Sequence, residues 1–303
     1  MNALADAVKD VRATGTPTTS VLMAPSLALS SCVRAYITRS TVGAVLRSDQ
    51  RHNHFPASPL CGIFWLLEGE SLIVRRGEEL VNEPVPRLSF AGPHTVPMVS
   101  VNPGPVRAFM LGLLPQAFQA LTGLDLPALV NRVVPVDAVL DSPWQAMAQA
   151  VQDAPDDLAR VQVIEAFLEP RWGALCHQAV SRPQRYRHWA ETLALRAGTS
   201  GVGKSLRQAE RRIKQWVGLP MRELRRLGRA EESFFMVRKG HLADPYSESS
   251  APAPDWAAIA VDSGYSDQAH LCREVRRVAG LSPKELKRAI DEDESFWTYR
   301  IWS

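Results

Sequence analysis

The sequence predicts an α+β chain: a β-rich N-terminal domain with trailing helices, then an all-α domain of two helix-turn-helix units. Three observations carry this. The segment from about 21 to 140 is strand-like and holds nine of the 22 prolines between Pro56 and Pro115, a density hostile to helices. After Asp141 apolar residues fall at three- and four-residue spacing, the helical period. The last third then repeats itself at an offset of 62 residues.

The opening twenty residues are small, polar and Thr-rich, and are expected to be a disordered tail. Residues 21–180 follow as the β-rich domain. Leu60 to Leu67 and Ser71 to Val74 read as strands joined by the turn Glu68-Gly69-Glu70. Met98 to Val101 and Val106 to Leu113 are further strands around Asn102-Pro103-Gly104-Pro105. Pro115 suits the first position of a helix over Gln116 to Leu121 with Gly123 beyond its end. Residues 143–153 and 157–168 read as two helices leading to a linker at Ser181-Arg182-Pro183. Residues 185–290 form the helical domain, interrupted by the polar stretch Asp244 to Pro254, and 291–303 form a tail.

Composition narrows the function. With 303 residues, 46% hydrophobic and 22% charged, the chain has the material for a buried core, which excludes collagen, a disulfide mini-protein and bulk disorder. No run of 18 apolar residues predicts a membrane span, and the charged start does not resemble a secretory signal. Cys32, Cys61, Cys176 and Cys272 form no CxxC pair and read as buried free thiols of a cytoplasmic protein. Charge is unevenly spread. Residues 1–180 hold 13 Lys and Arg against 16 Asp and Glu, whereas 182–239 hold 15 against 5. That excess fits either a polyanion partner or a solvated helical face.

The repeat is more specific than the charge. Arg211 maps to Arg273, Ile213 to Val275, Lys214 to Arg276, Gly218-Leu219 to Gly280-Leu281, and Glu223-Leu224 to Glu285-Leu286. Each copy reads as a basic helix ended by glycine, then a short helix. In the second copy Asp255 caps Trp256 to Asp262, Gly264 supplies a left-handed turn, and Ser266 caps a helix from Asp267 to Ala279. Leu271, Val275 and Val278 face inward, leaving Gln268, His270, Arg273 and Arg277 outside. Ser282-Pro283-Lys284-Glu285 is a capping box. Glutamine and arginine match adenine and guanine edges in the major groove. In the first copy Ser205 is the cap; Leu206, Ala209, Ile213 and Trp216 form the inner stripe, with Arg207, Gln208, Glu210 and Arg211 outward. Eleven positions separate Ala194 from Ser205, against six from Ala260 to Ser266, so the first unit has a longer turn or a shorter leading helix.

The stretch 255–286 resembles the second helix-turn-helix of the AraC/XylS family of bacterial transcription regulators. Ile259-Ala260, Gly264 to Gln268, His270-Leu271, Arg273-Glu274 and Gly280 to Pro283 carry the likeness. Residues 205–224 resemble the family's first recognition helix and its sequel, and Arg229-Ala230-Glu231 the start of the helix linking the two halves. The part from Phe55 to Leu113 is more weakly similar to the family's sensor or dimerisation domains. The resemblance implies a sequence-specific regulator that binds double-stranded DNA, is not an enzyme and needs no cofactor. Ser205, Arg207, Gln208, Arg211, Ser266, Gln268, His270 and Arg273 would be its DNA-binding residues. Contact with RNA polymerase, a small-molecule effector of the sensor-like domain and a homodimer are left open by it; no ligand-binding residues follow.

Other motifs compete. Gly198 to Ser205 (GTSGVGKS) matches the P-loop pattern, which makes a nucleotide-binding enzyme the alternative; the chemistry needs a strand ahead of the loop. His52-Asn53-His54 suggests a metal pair but lacks further ligands at a recognisable spacing, so an exposed loop is expected. Arg211 and Arg273 either contact DNA or brace their unit through a carboxylate. The acidic run Asp291 to Glu294 reads as a solvated helix end.

Overall fold

The computed structural model describes residues 6–9, 14–15, 18–175, 185–199, 205–242 and 254–301, with backbone alone at 6–9, 14–15 and 238–242. Thirteen strands are described: β1 (Asp6–Lys9), β2 (Thr14–Gly15), β3 (Thr19–Met23), β4 (Val33–Ser40), β5 (Ala44–Val45), β6 (His52–Phe55), β7 (Cys61–Glu68), β8 (Leu72–Arg76), β9 (Glu79–Pro84), β10 (Leu88–Ala91), β11 (Met98–Val101), β12 (Arg107–Leu113) and β13 (Val133–Pro135). They form an antiparallel sheet in the order β1-β3-β4-β12-β7-β10-β13, a second in the order β6-β11-β8-β9, and the small pair β2-β5. The start expected to be a disordered tail is therefore in part a strand: Asp6–Lys9 pairs with Thr19–Met23.

The strands around Gly69 are present, but they do not pair with each other. β7 belongs to the larger sheet and β8 to the smaller, so the turn carries the chain between sheets. Gly69 has φ +81°, and a Cβ there would lie 2.3 Å from the Pro105 carbonyl oxygen; only glycine fits. Between the two sheets lies a small cavity of about 80 Å³, lined by apolar side chains such as Trp65, Ile73 and Met110 and by the buried polar Arg39, Asn53 and Ser100.

Helices α1 (Pro115–Thr122), α2 (Ser142–Asp153) and α3 (Asp157–Leu175) close the large sheet. Pro115 opens α1 and Gly123 ends it at φ 70°, as the sequence predicts. Asp141 caps α2 through the Trp144 amide at 3.3 Å. α3 outruns its expected end at 168 and continues through Pro170, because Trp172 is buried and donates its indole N–H to Ser31 Oγ at 3.0 Å. Trp65 is wholly buried and ties sheet to helix by donating to the Ala148 carbonyl at 2.8 Å.

The rest is helical: α4 (Tyr186–Thr199), α5 (Leu206–Val217), α6 (Met221–Leu242), α7 (Trp256–Asp262), α8 (Gln268–Ala279), α9 (Pro283–Glu292) and the short α10 (Trp297–Ile301). The linker at 181–183, most of the stretch 244–254, and Cys176 lie outside the described residues. Cys32 and Cys61 are buried free thiols, whereas Cys272 is only half-buried. The main core is continuous from the sheet (Trp65, Phe109) through Phe118 and Trp144 into α4, α5 and α6 (Trp189, Ile213, Leu227). A second core, built on Leu271, Val275, Leu286 and Phe296, serves α7 to α9. None of the described helices is long and apolar enough to cross a membrane.

Candidate nucleic-acid interface

Both repeat copies hold a pair of helices, α4 with α5 and α7 with α8; a turn at Gly264 joins the second pair, and residues 200–204 between the first pair lie outside the described residues. The shared pattern has the same cause in each. Ile213 and Val275 are buried, Gly218 and Gly280 end their helices at φ 82° and 81°, and Leu224 and Leu286 plug the core one turn later. At Gly218 a Cβ would also press on the Leu126 carbonyl at 3.1 Å, so the first unit sits close against the β-rich part.

In the first unit Ser205 accepts from the Gln208 amide at 3.3 Å, confirming the cap. Ala209, Ile213 and Trp216 turn inward, but Leu206 is 88% exposed and does not join the inner stripe; Val217, fully buried, takes its place. Arg212 holds the pair together by donating to the Ala197 carbonyl at 2.9 Å. Most of the extra length relative to the second unit is helix, since α4 extends five residues beyond Ala194 and α7 only two beyond Ala260. α4 runs on to Thr199, so five residues separate it from the Ser205 cap, against four between α7 and its successor's cap. The same fact bears on Gly198 to Ser205: a helix leads into this stretch where a P-loop needs a strand. Residues 200–204 themselves lie outside the described residues.

The linking helix also differs from expectation. α6 is a single helix from Met221, and Arg229-Ala230-Glu231 fall in its middle; in the second copy the matching helix α9 is short. α6 is anchored at several points. Arg226 donates to the Thr95 carbonyl at 2.8 Å, and Glu231 accepts from the Tyr186 amide at 2.7 Å.

In the second unit Asp255 caps α7 through the Ala257 and Ala258 amides, and Gly264 turns at φ 80°. The cap of α8 is Asp267, not Ser266. The Asp267 carboxylate accepts from the His270 amide at 2.7 Å, a bond that holds its pKa below the usual carboxylate value. Ser266 donates instead to Asp267 at 3.1 Å and lies 3.1 Å from His270 Nδ1. The capping box at Ser282 and Glu285 is formed, with Pro283 at the first helical position.

Eight side chains were expected at the interface. Arg207, Arg211, Gln268 and Arg273 are exposed, as are Ser205 and Ser266. No ion pair within 4 Å holds Arg211 or Arg273 among the described residues, although Arg273 acts electrostatically on Asp267. Gln208 is half-buried, with Oε1 buried and unpartnered, and His270 is half-buried against the Tyr265 ring. Arg276 is exposed and within 3.7 Å of Glu285; Arg222, Arg225 and Arg277 are exposed too and extend the basic surface.

Two further sequence expectations fail at the other end of the molecule. His52-Asn53-His54 is strand, not an exposed loop: Asn53 is buried, and His54 stacks on Phe296 at 4.1 Å. Burial brings the His54 pKa down to about 4. No metal-holding cluster of His, Cys, Asp and Glu occurs among the described residues. Glu294 is not solvated; it is 3% exposed and paired with Arg39 at 2.5 Å and Arg300 at 2.9 Å. Residues 294–301 of the expected tail are accordingly a docked element. Sequence reasoning missed it, although the cluster Phe296-Trp297 and Tyr299 is aromatic enough to signal burial.

Between the sheets and the C-terminal helices lies a cavity of about 230 Å³, walled mainly by apolar side chains such as Phe64, Met110, Leu227, Phe234, Leu271 and Val278. Glu231 is on its lining; burial raises its carboxyl pKa to about 6.

No family model matches the chain, and no curated protein does. The similar solved structures include those of ToxT from Vibrio cholerae. An apo ToxT is 11% identical with a TM-score of 0.39, over 83% of this chain and 95% of that one. ToxT bound to a methylnaphthalenyl-butenoic acid is 9% identical with a TM-score of 0.37, over 85% and 97%. ToxT bound to an unsaturated fatty acid is 12% identical with a TM-score of 0.35, over 80% and 97%.

Proposed function

We propose that this chain is a cytoplasmic, sequence-specific DNA-binding transcription regulator of the AraC/XylS type, and not an enzyme. One observation carries the reading: two helical pairs at a 62-residue offset, each with a buried inner stripe, a left-handed glycine stop and an outer face of exposed arginine. Recognition helices α5 and α8 would enter major-groove segments about 34 Å apart on one side of the duplex. Arg207, Gln208 and Arg211 from α5, and Gln268, His270 and Arg273 from α8, would meet base edges and nearby backbone. Ser205 would bond phosphate; Ser266, already engaged by Asp267 and His270, is the weaker donor. The Lys and Arg excess of 182–239 would supply the salt-sensitive affinity.

Regulation by a small molecule belongs to the same proposal. The 230 Å³ cavity is apolar and touches α8 through Leu271, Val275 and Val278, so an apolar effector there would bear directly on the second unit. Self-association and contact with RNA polymerase are tested by sedimentation and by transcription in vitro.

Selection from random oligonucleotides, followed by footprinting, tests the core of the reading. Two protected segments one turn apart are expected; one segment would mean that only one unit reads. A lack of preference for any fragment at moderate salt, with and without cell extract to furnish an effector, would refute it. Nucleotide binding through Gly198 to Ser205 predicts tight ATP binding lost in Lys204→Ala; no such binding is expected.

A further inference from the structure

Glu294 to Ile301 follows the last repeated helix and turns back onto the β-rich part. Its contacts there resemble those of a bound ligand. The Glu294 carboxylate accepts from Arg39 at 2.5 Å, Thr18 Oγ1 at 2.6 Å and Arg300 at 2.9 Å. The Arg39 guanidinium lies 4.9 Å from the centre of the Trp297 ring. The Trp297 indole N–H donates to Asn53 Oδ1 at 2.8 Å, while the Asn53 amide donates to Ser100. Thr298 donates to the His54 carbonyl, and Trp297 and Ile301 complete an apolar cluster with Ile37.

Two independent features indicate that this docking is reversible. The first is its chemistry. Buried ion pairs seldom stabilise more than apolar side chains of equal volume, and their best-attested use is to fix a register or serve as a switch. Here Arg39 and Glu294 are each about 4% exposed. The second is how the cores are divided. α4 to α6 share the main core with the sheets, whereas α7 to α9 contribute only Val278 to it and otherwise pack on a second core that includes Phe296 and Tyr299 of the segment itself. The face between that second unit and the sheets is incompletely filled, since it holds the 230 Å³ cavity. Across it the Ala57 amide donates to the Val278 carbonyl at 2.8 Å. An under-packed face next to a concentrated polar anchor is a place where one part can separate without the rest unfolding.

We propose that residues 294–301 form an autoinhibitory latch. Docked on Arg39 and Asn53, it holds the second reading unit at a spacing set by the β-rich part; undocked, it frees that unit to follow the DNA groove. The inhibitory role rests on the DNA-binding reading above, while the docking itself does not.

The test uses the full chain as wild type, Glu294→Gln, which keeps shape while removing the charge, and Trp297→Phe, which keeps an aromatic ring while removing the indole donor. Hydrogen exchange is expected to quicken at least tenfold over 256–292 and to stay unchanged over 186–230. Affinity for a selected two-half-site duplex is expected to rise about tenfold, with no change for a single half-site. Exchange that is unchanged, or that quickens uniformly, overturns the latch. Localised quickening with equal or weaker two-site binding overturns its inhibitory role. If no DNA is bound by any of the three proteins, the regulator reading falls, and the inhibitory role with it, while the exchange data still decide whether the segment undocks.

Discussion

Replacing Glu231 by glutamine should change how stability depends on pH, by an amount set by its surroundings. The carboxylate sits in α6, where it accepts from the Tyr186 amide at 2.7 Å and lies 3.7 Å from the Arg34 guanidinium. Burial outweighs these favourable partners and raises its pKa from 4.5 to about 6. Because the folded value exceeds the unfolded one, the folded state binds more protons between these two pH values. The resulting stabilisation is complete below pH 4.5 and is lost as pH rises through 6. At about 1.4 kcal/mol per pH unit, the interval amounts to roughly 2 kcal/mol. The glutamine side chain keeps an acceptor for the Tyr186 amide and never ionises. Urea denaturation of both proteins between pH 4.5 and 7 should therefore show Glu231→Gln gaining about 2 kcal/mol on the wild type toward neutral pH. Parallel curves across that range would refute the reasoning, since they would mean that Arg34 and Tyr186 already offset the cost of burial.

Other changes test separate parts of the molecule. Arg273→Ala should cost about 1–3 kcal/mol of specific binding and relax preference at one base pair, measured by competition between selected and mutated duplexes. Asp267→Ala should lower the melting temperature through loss of the α8 cap, with Ser266→Ala nearly silent, in thermal denaturation. Gly218→Ala should destabilise by more than about 1 kcal/mol, because the residue has φ 82° and faces the Leu126 carbonyl. His54 titrates in the opposite sense to Glu231. Its pKa is lowered to about 4, so its contribution is present above the ordinary 6.5 and is lost as pH falls toward 4. His54→Gln should flatten the acid limb of the stability curve.

Local features were legible in the sequence. The ends of α7, the left-handed stops at Gly123, Gly218, Gly264 and Gly280, and the capping box at Ser282 depend on residues within one turn of each other. The inward stripe of α8 follows from its period alone. Failures came where a neighbour distant in sequence overrode the local signal. Ser266 and Asp267 both qualify as caps, and only the geometry of the turn selects Asp267. Leu206 is apolar and correctly spaced, yet nothing covers the first turn of α5. Asp291 to Glu294 looks like any acidic helix end until Arg39, 255 residues away, is brought against Glu294.

The sequence by itself determined the two repeated units, their polarity and their glycine stops, because periodicity and glycine conformation act over a few residues. Tertiary structure alone decided that α4 to α6 share a core with the sheets, that a cavity lies beside the contact of those sheets with α8, and that residues 294–301 are anchored on Arg39 and Asn53. Those arrangements depend on which buried surfaces and charges meet after the chain closes, and no local pattern encodes that pairing.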